Sequence, residues 1–290
     1  MRSGFISIVG RPNVGKSTIV NALVGEKVAI VSDKPQATRN RIMGVVNRPE
    51  FQMVLLDTPG VHTPRTKLGQ FMDTAVSGAL DDVDGVLFVL DGKRGLMEGD
   101  RAILERISGV REPLVCVNKV DLLDRDGREA LSVAVREWCS REPFFVSAKT
   151  GENMPELLSI LADRLKPGPM YFPPDEVTDM PEEFLTCEII REKALLCLSD
   201  EIPHGIGVEL ERFLEREDGV VEINAVLYCE KKSHKGIIIG KNGAMLKRIS
   251  IMAREDLESI FLAKVFLRVF VKVREDWRNS PTALRELGYQ

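Results

Sequence analysis

Phe5-Ile6-Ser7-Ile8-Val9-Gly10-Arg11-Pro12-Asn13-Val14-Gly15-Lys16-Ser17-Thr18 decides the fold of the N-terminal half. Phe5–Val9 is a short apolar run that suits a buried strand, and Thr18 onward can begin a helix. Between them Gly10 to Ser17 matches G-x-x-x-x-G-K-[ST] in the strand-to-helix setting that gives this pattern its meaning. Glycine lets the main chain wrap closely around a phosphate. In such a loop the N–H groups of residues 13–18 point at a β-phosphate from the helix N-terminus, and the whole stretch from Gly10 through Arg11 and Pro12 to Thr18 is the candidate phosphate-binding segment. Lys16 would neutralise β- and γ-phosphate oxygens, and Ser17 would ligate Mg²⁺.

Working outward, residues 1–165 repeat the alternation of apolar run and helix-like stretch. The runs are Phe5–Val9, Met53–Leu56, Val86–Leu90, Leu114–Val117 and Phe144–Val146, each followed by polar or glycine-containing residues. Room for a crossover helix lies between most of them. This predicts an α/β domain with a mostly parallel sheet covered by helices on both faces. Ile42–Val46 lies close enough to Met53–Leu56 to form an antiparallel pair with it.

The strand ends carry further chemistry. Asn118-Lys119-Val120-Asp121 follows Leu114–Val117. A carboxylate at Asp121 can accept from guanine N1–H and the 2-amino group, a donor set that adenine lacks, so an ATP site would leave it unpaired. Asn118 can bond the purine edge or brace the phosphate loop, and the Lys119 stem can cover the ring face. After Phe144–Val146 comes Ser147-Ala148-Lys149, where the Ala148 N–H can reach guanine O6. Asp57-Thr58-Pro59-Gly60 follows Met53–Leu56. Asp57 can hold Mg²⁺ through water, and the Gly60 N–H can meet the γ-phosphate. Thr38, in the polar stretch from Lys34 to Asn40, is the candidate for a mobile Mg²⁺ ligand.

These five elements, over residues 5–149, resemble the Ras-like GTPases of the translation-factor type, in the TrmE–Era–EngA group. The resemblance implies GTP as substrate, GDP as product and Mg²⁺ as cofactor. It makes Thr38 and the run Asp57, Thr58, Pro59, Gly60, Val61 the switch regions. Many Ras-like enzymes place a glutamine after the switch glycine; Val61 has no hydrogen-bonding side chain, so water positioning cannot depend on it. Within the group an asparagine at the place of Asn13 can help bind K⁺, where an arginine finger's charge otherwise acts. Slow intrinsic turnover follows, as for a timer rather than a metabolic catalyst.

Lys166-Pro167-Gly168-Pro169-Met170-Tyr171-Phe172-Pro173-Pro174 changes the pattern: four prolines suit neither helix nor central strand, and the stretch reads as a linker. Beyond it the order is helix (182–199), two alternating strands (Ile206 to Leu210 and Val221 to Cys229), two helices within 237–262, and a strand from Val265 to Val273. Lys235-Gly236-Ile237-Ile238-Ile239-Gly240-Lys241-Asn242-Gly243 carries a G-x-x-G loop between the two helices. The loop and the α-β-β-α-α-β order resemble an α+β KH domain of type II, whose loop clamps about four nucleotides of backbone. The candidate RNA contacts are Lys235, Gly236, Gly240, Lys241, Asn242, Gly243, Lys247 and Arg248. The expected division is a G domain at 1–166, a linker at 167–181, a KH domain at 182–276 and a tail at 277–290.

A Ras-like GTPase domain joined to a KH domain is similar to the Era family of ribosome-assembly GTPases, and the stretch from Trp277 to Tyr289 resembles that family's tail. The resemblance implies binding of small-subunit ribosomal RNA near its 3′ end and a role in maturation of the 30S precursor. It also implies a monomer in the cytoplasm with a loose, peripheral association with the inner membrane. A signalling GTPase whose second domain binds a protein or a membrane surface is the main alternative, but no lipidation motif or long basic amphipathic helix supports it. Intact Lys16, Ser17, Asp57 and Asp121 argue against a non-enzymatic RNA-binding module.

Composition narrows the class. Of 290 residues, 44% are hydrophobic and 29% charged, enough for a sizeable core in roughly two domains. No apolar run is long enough for a transmembrane helix, and an apolar strand begins so close to Met1 that a signal peptide is not expected. The five cysteines are odd in number and none pair at metal-ligand spacing, which suits reduced thiols. The net charge of −4 speaks against a generally basic nucleic-acid binder. It is unevenly spread, however. Residues 175–230 hold 4 basic and 16 acidic side chains, whereas residues 231–274 hold 11 basic and 3 acidic ones, around the G-x-x-G loop.

Overall fold

The computed structural model describes residues 1–34, 36–61, 64, 66–109, 112–199 and 202–289. The chain packs as two units. The first comprises residues 1–31, 38–63 and 72–179, and the second 32–37, 64–71 and 180–290.

In chain order the N-terminal elements are β1 (Arg2–Gly10), α1 (Lys16–Val24), β2 (Ile42–Asn47), β3 (Phe51–Asp57), α2 (Lys67–Gly78), β4 (Gly85–Asp91), α3 (Glu98–Ser108), β5 (Leu114–Asn118), α4 (Arg125–Cys139), β6 (Phe144–Phe145), α5 (Met154–Ala162) and β7 (Lys166–Pro167). The strands form one sheet in the order β2-β3-β1-β4-β5-β6. Only β2 runs antiparallel along this path, against β3. Every residue of β3 and of β4 is buried, as central strands covered on both faces must be.

The period of two along each strand sorts side chains to opposite faces. Ile6, Ile8, Met53, Leu55, Leu87 and Val89 pack with Ile19, Val20 and Leu23 of α1 and Leu157 and Leu161 of α5. Val54, Leu56, Val86, Phe88 and Leu90 pack on the other side with Ile103 and Ile107 of α3 and Leu131 and Val135 of α4. Each such aliphatic side chain contributes about 1.5–3 kcal/mol by leaving water. The consequence for function is geometric: β1, β3, β4, β5 and β6 all end at one edge, where the loops carrying polar residues emerge.

The proline-rich stretch after α5 has little regular structure but is held in place. β7 pairs antiparallel with the start of β1, where β4 does not reach. Buried Gln52 then accepts from the N–H groups of Tyr171 (2.6 Å) and Phe172 (3.0 Å) and donates to the Phe172 carbonyl (2.8 Å). Val45 N–H donates to Val177 O on the open side of β2. Thus residues up to 179 pack with the first unit, because the few N–H groups that the prolines leave find partners on it.

The second unit contains α6 (Glu182–Cys197), β8 (Gly207–Glu215), β9 (Val221–Cys229), α7 (Lys232–Ile239), α8 (Ala244–Phe261), β10 (Val265–Val273) and α9 (Pro281–Glu286). Its sheet has the order β10-β9-β8, with β9 antiparallel to β8 and parallel to β10. Ile223, Ala225, Leu227, Val265 and Val271 face α6 and α8 in one core. A register shift between Leu210 and Arg212 lets Phe213, rather than Arg212, follow Leu210 on that face. α7 starts at Lys232, earlier than hydrophobic periodicity marks it, because Lys232 to Lys235 offer no apolar stripe. After β10 the chain turns back: buried Trp277 donates from Nε1 to Gly205 O (2.9 Å), and Tyr289 stacks on its ring. Gln290, the end of the expected tail, lies outside the described residues.

Candidate nucleotide site and nucleic-acid interface

β1 ends at Gly10 and α1 begins at Lys16, so the loop between them spans the C-terminal edge of the sheet. Its path needs two left-handed residues, Asn13 (φ 66°) and Gly15 (φ 97°). A Cβ on Gly15 would also stand 2.2 Å from Asn118 Nδ2, so glycine is required for space as well as for conformation. No side chain caps the N-terminus of α1. Its first N–H groups are therefore available to an anion. Val14 is buried, and its carbonyl accepts from Asn118 Nδ2 at 3.0 Å. Thr18 is half-buried in the first turn of α1. Pro12 lies against Gly60, where an added Cβ would meet the Pro12 nitrogen at 2.6 Å.

Lys16 is 6% exposed and reaches back over the loop to the carbonyls of Gly10 (3.2 Å) and Arg11 (3.1 Å). Burial lowers its pKa to about 8, and the nearby Asp57 carboxylate opposes that shift only in part. Arg11 sends its guanidinium away from the loop, with Nε donating to buried Asp100 of α3 at 2.7 Å. That leaves only its backbone for the expected phosphate contact.

Three oxygen side chains from three separate segments meet beside Lys16. Ser17 Oγ lies 2.9 Å from Thr38 Oγ1 and donates to Asp57 Oδ2 at 2.6 Å, and Thr38 Oγ1 donates to the same oxygen at 3.4 Å. Asp57 is fully buried, and its Oδ1 has no hydrogen-bond partner. Burial raises its pKa, against Lys16 and the two hydroxyls. Hard oxygen donors and an orphaned carboxylate oxygen fit a hard divalent cation. Ser17 and Thr38 would hold such a cation directly and Asp57 through water, and the cation would supply positive charge beside Lys16.

Thr58 Oγ1 donates to Ile8 O (2.8 Å), Pro59 and Gly60 are buried, and Val61 N–H donates to Gly10 O (3.4 Å). The Val61 side chain packs against the apolar cluster of one sheet face. This tethers the Asp57–Val61 run to the phosphate loop.

The residues expected to recognise the base gather on the loops after β5 and β6. Ser147 Oγ, fully buried, donates to Asp121 Oδ1 at 2.7 Å and leaves that exposed carboxylate oriented. Asn118 braces the phosphate loop through Val14, and its Oδ1 accepts from Ala148 N–H at 3.1 Å. Lys119 donates to Asn13 O (2.5 Å) and to Asp91 Oδ2 (2.7 Å). Lys149 is exposed. Asp91 and Asp100 escape sequence reading, because their partners Lys119 and Arg11 lie 28 and 89 residues away.

In the second unit α7 ends at Ile239, and the chain passes through Gly240 (φ 72°), Asn242 (φ 53°) and Gly243 (φ 79°) into α8. An added Cβ on Gly240 would meet Met245 Cβ at 2.7 Å, so the two helix ends close on a bare backbone. Lys241, Asn242, Lys247 and Arg248 are exposed around the loop, Gly236 is exposed and Lys235 is half-buried. Ile238 is buried in the core, whereas Ile237 is 53% exposed.

Known families match both halves of the chain. The family described as 50S ribosome-binding GTPase matches residues 5–119, and the KH domain family matches residues 201–278. The GTPase Era of Clostridioides difficile is 48% identical over 292 residues, covering 99% of this chain and 98% of its own. That of Ruminiclostridium cellulolyticum is 44% identical over 291 residues, covering 100% of this chain and 98% of its own. The crystal structure of a single-substitution variant of Aquifex aeolicus Era bound to GDP·AlF4⁻ matches with a TM-score of 0.95 at 35% identity, over 100% of this chain and 99% of that one. An Era structure in complex with MgGDPNP and nucleotides 1506–1542 of 16S ribosomal RNA matches equally, with a TM-score of 0.95 at 35% identity and the same coverage. With relatives this similar along its whole length, the chain belongs to the Era family of GTPases.

Proposed function

We propose that the chain is a Mg²⁺-dependent GTPase switch whose KH unit binds small-subunit ribosomal RNA near its 3′ end and assists assembly of the 30S subunit. The observation that carries the GTPase reading is the meeting of Ser17, Thr38 and Asp57 oxygens beside buried Lys16. In this reading the loop N–H groups of residues 13–18 and the Lys16 ammonium hold the β- and γ-phosphates, and Asp121 selects guanine with Ser147 holding it in register. Mg²⁺, when bound, neutralises charge between the β- and γ-phosphates. The Gly60 N–H orients the γ-phosphate. Because Val61 offers no hydrogen bond to the attacking water, turnover stays slow, below about 1 s⁻¹ without a further factor.

The RNA reading is supported by the G-x-x-G geometry and by the related Era structure that holds nucleotides 1506–1542 of 16S ribosomal RNA. Crosslinking in cells tests it: the chain should recover the 3′-terminal region of small-subunit RNA from 30S precursors. Recovery of protein partners alone would favour a signalling GTPase. K⁺ stimulation through Asn13 belongs to the same reading, and hydrolysis measured in K⁺ and Na⁺ buffers for the native chain and Asn13→Ala checks it; equal rates throughout remove it. A peripheral place on the cytoplasmic face of the inner membrane also belongs to this reading, and co-sedimentation with inner-membrane vesicles checks it.

A further inference from the structure

Buried charge in the second unit is accounted for by helix packing: Arg191 of α6 pairs with Glu188 (2.8 Å), and Lys193 with Glu192 (2.9 Å) and with Asp256 of α8 (2.5 Å). In the first unit two buried carboxylates do something else. Asp91 ends β4 and Asp100 lies in the first turn of α3, and they are 2% and 0% exposed. Each holds a cation from the candidate nucleotide loops: Asp91 Oδ2 accepts from the Lys119 ammonium (2.7 Å), and Asp100 Oδ1 from the Arg11 guanidinium (2.7 Å). Asp100 also accepts from Met97 N–H (3.0 Å) and so serves the start of α3 as well. Asp91 divides its oxygens more cleanly. Its Oδ1 accepts from the N–H groups of Lys93 (3.0 Å) and Arg94 (3.2 Å) and closes the turn after β4, which leaves Oδ2 for Lys119.

Asp91 is the register partner of Asn118 at the ends of β4 and β5, so its carboxylate stands beside the residue that follows, Lys119. The same ammonium donates to Asn13 O in the phosphate loop at 2.5 Å. The two residues so joined have left-handed backbones without being glycine, Asn13 at φ 66° and Lys119 at φ 67°. That region is unfavourable for L-residues and persists where the surrounding contacts over-determine it. The Lys119 stem is thus held at both ends, by its backbone and by its ammonium. It has little rotamer freedom left to lose when a base covers it, so the ordering cost of binding is already met. The buried carboxylate also keeps the ammonium from swinging out to water, because a lone buried charge is costly.

We infer that Asp91 is a positioning residue for nucleotide binding: it fixes the Lys119 ammonium on the Asn13 carbonyl and so clasps the base loop to the phosphate loop before a guanine nucleotide arrives. The inference rests on the reading of these loops as the nucleotide site, and Lys16→Ala separates the two. Full-length Asp91→Asn, Lys119→Met and the double variant Asp91→Asn/Lys119→Met are compared with the native chain. Asparagine keeps an oxygen for the Lys93 and Arg94 amides and removes the charge that faces Lys119. Asp91→Ser, whose hydroxyl can still accept from those amides, stands in should Asp91→Asn not fold. The readout is the dissociation rate of a fluorescent GDP derivative in the presence of Mg²⁺, with thermal unfolding to check that each variant is folded.

GDP should leave Asp91→Asn about tenfold faster than it leaves the native chain. Lys119→Met should raise the rate at least as much, and adding Asp91→Asn to it should raise the rate no further, because both act through one ammonium. A carboxylate that served only the turn after β4 would raise the rate by the same factor with or without Lys119. That result would overturn the inference, as would native dissociation from the folded Asp91→Asn or Asp91→Ser protein. Retained nucleotide binding in Lys16→Ala would instead overturn the reading of the site.

Discussion

In the phosphate loop, Lys16 is an ammonium placed where water hardly reaches, and this gives the site a pH signature. Its pKa in the folded, nucleotide-free protein is about 8, against 10.5 for a free side chain. Between those values the unfolded chain holds the proton more tightly, so this group makes the nucleotide-free protein less stable as pH falls below about 10.5 and spares it that cost only at higher pH. Phosphate oxygens favour the charged form, so nucleotide binding restores the proton. Calorimetry of GDP binding in EDTA, in two buffers of different ionisation enthalpy, should show proton uptake at about pH 9 and little at about pH 7. Lys16→Arg should bind without uptake, and Lys16→Ala should lose nucleotide binding. At Asp121 the balance of donors and acceptors decides the base. Asp121→Asn replaces an acceptor by an amide facing two guanine donors, and at about 1.5–3 kcal/mol for each charged hydrogen bond GTP affinity should fall by about a hundredfold or more. A xanthine nucleotide, which presents a carbonyl where guanine has its amino group, should recover much of the loss in a competition assay. Most single-residue placements were legible here because the loops lie next to their strands in sequence. Ser147, Asn118 and Asp121 could be placed from order alone, whereas the Arg11–Asp100 and Lys119–Asp91 pairs depend on helices and strands that meet only in three dimensions.

Strands and helices were legible where one period ran unbroken. β3, β4 and β10 follow their apolar patterns from end to end. β8 does not, because the shift after Leu210 changes the phase of alternation, and nothing in Glu211 or Arg212 announces it. α6 is read as a helix easily, but its burial on all sides is a tertiary fact, since Glu188, Arg191 and Lys193 look solvent-facing in sequence. Here the energetic asymmetry of buried charge gives a prediction. Glu188→Ala leaves the Arg191 charge uncompensated and should cost about 3–5 kcal/mol in urea unfolding, whereas Glu188→Leu/Arg191→Met should cost much less. At the α7–α8 turn the prediction concerns shape. Gly240→Ala forces a Cβ onto a residue of positive φ and against Met245, so it should destabilise the second unit by about 1–2 kcal/mol and weaken RNA binding, with nucleotide affinity unchanged.

For the whole molecule, net charge is a poor guide and its distribution a good one. A chain of net charge −4 holds a block with 11 basic and 3 acidic side chains at residues 231–274, which contains the G-x-x-G loop. That distribution, together with a clamp that suits about four nucleotides, sets a quantitative expectation for RNA. If Lys235, Lys241, Lys247 and Arg248 each neutralise a phosphate, the logarithm of affinity should fall with the logarithm of salt concentration with a slope of about −3. The most direct test of the account is filter binding of the single-stranded 3′ end of 16S-type ribosomal RNA over a range of salt, for the native chain and for Lys241→Asp/Asn242→Asp. The native chain should bind tightly with that slope, and the variant should lose about tenfold or more while it retains GTP hydrolysis without RNA. Absent or salt-independent binding by the native chain, or equal binding by the variant, would contradict it.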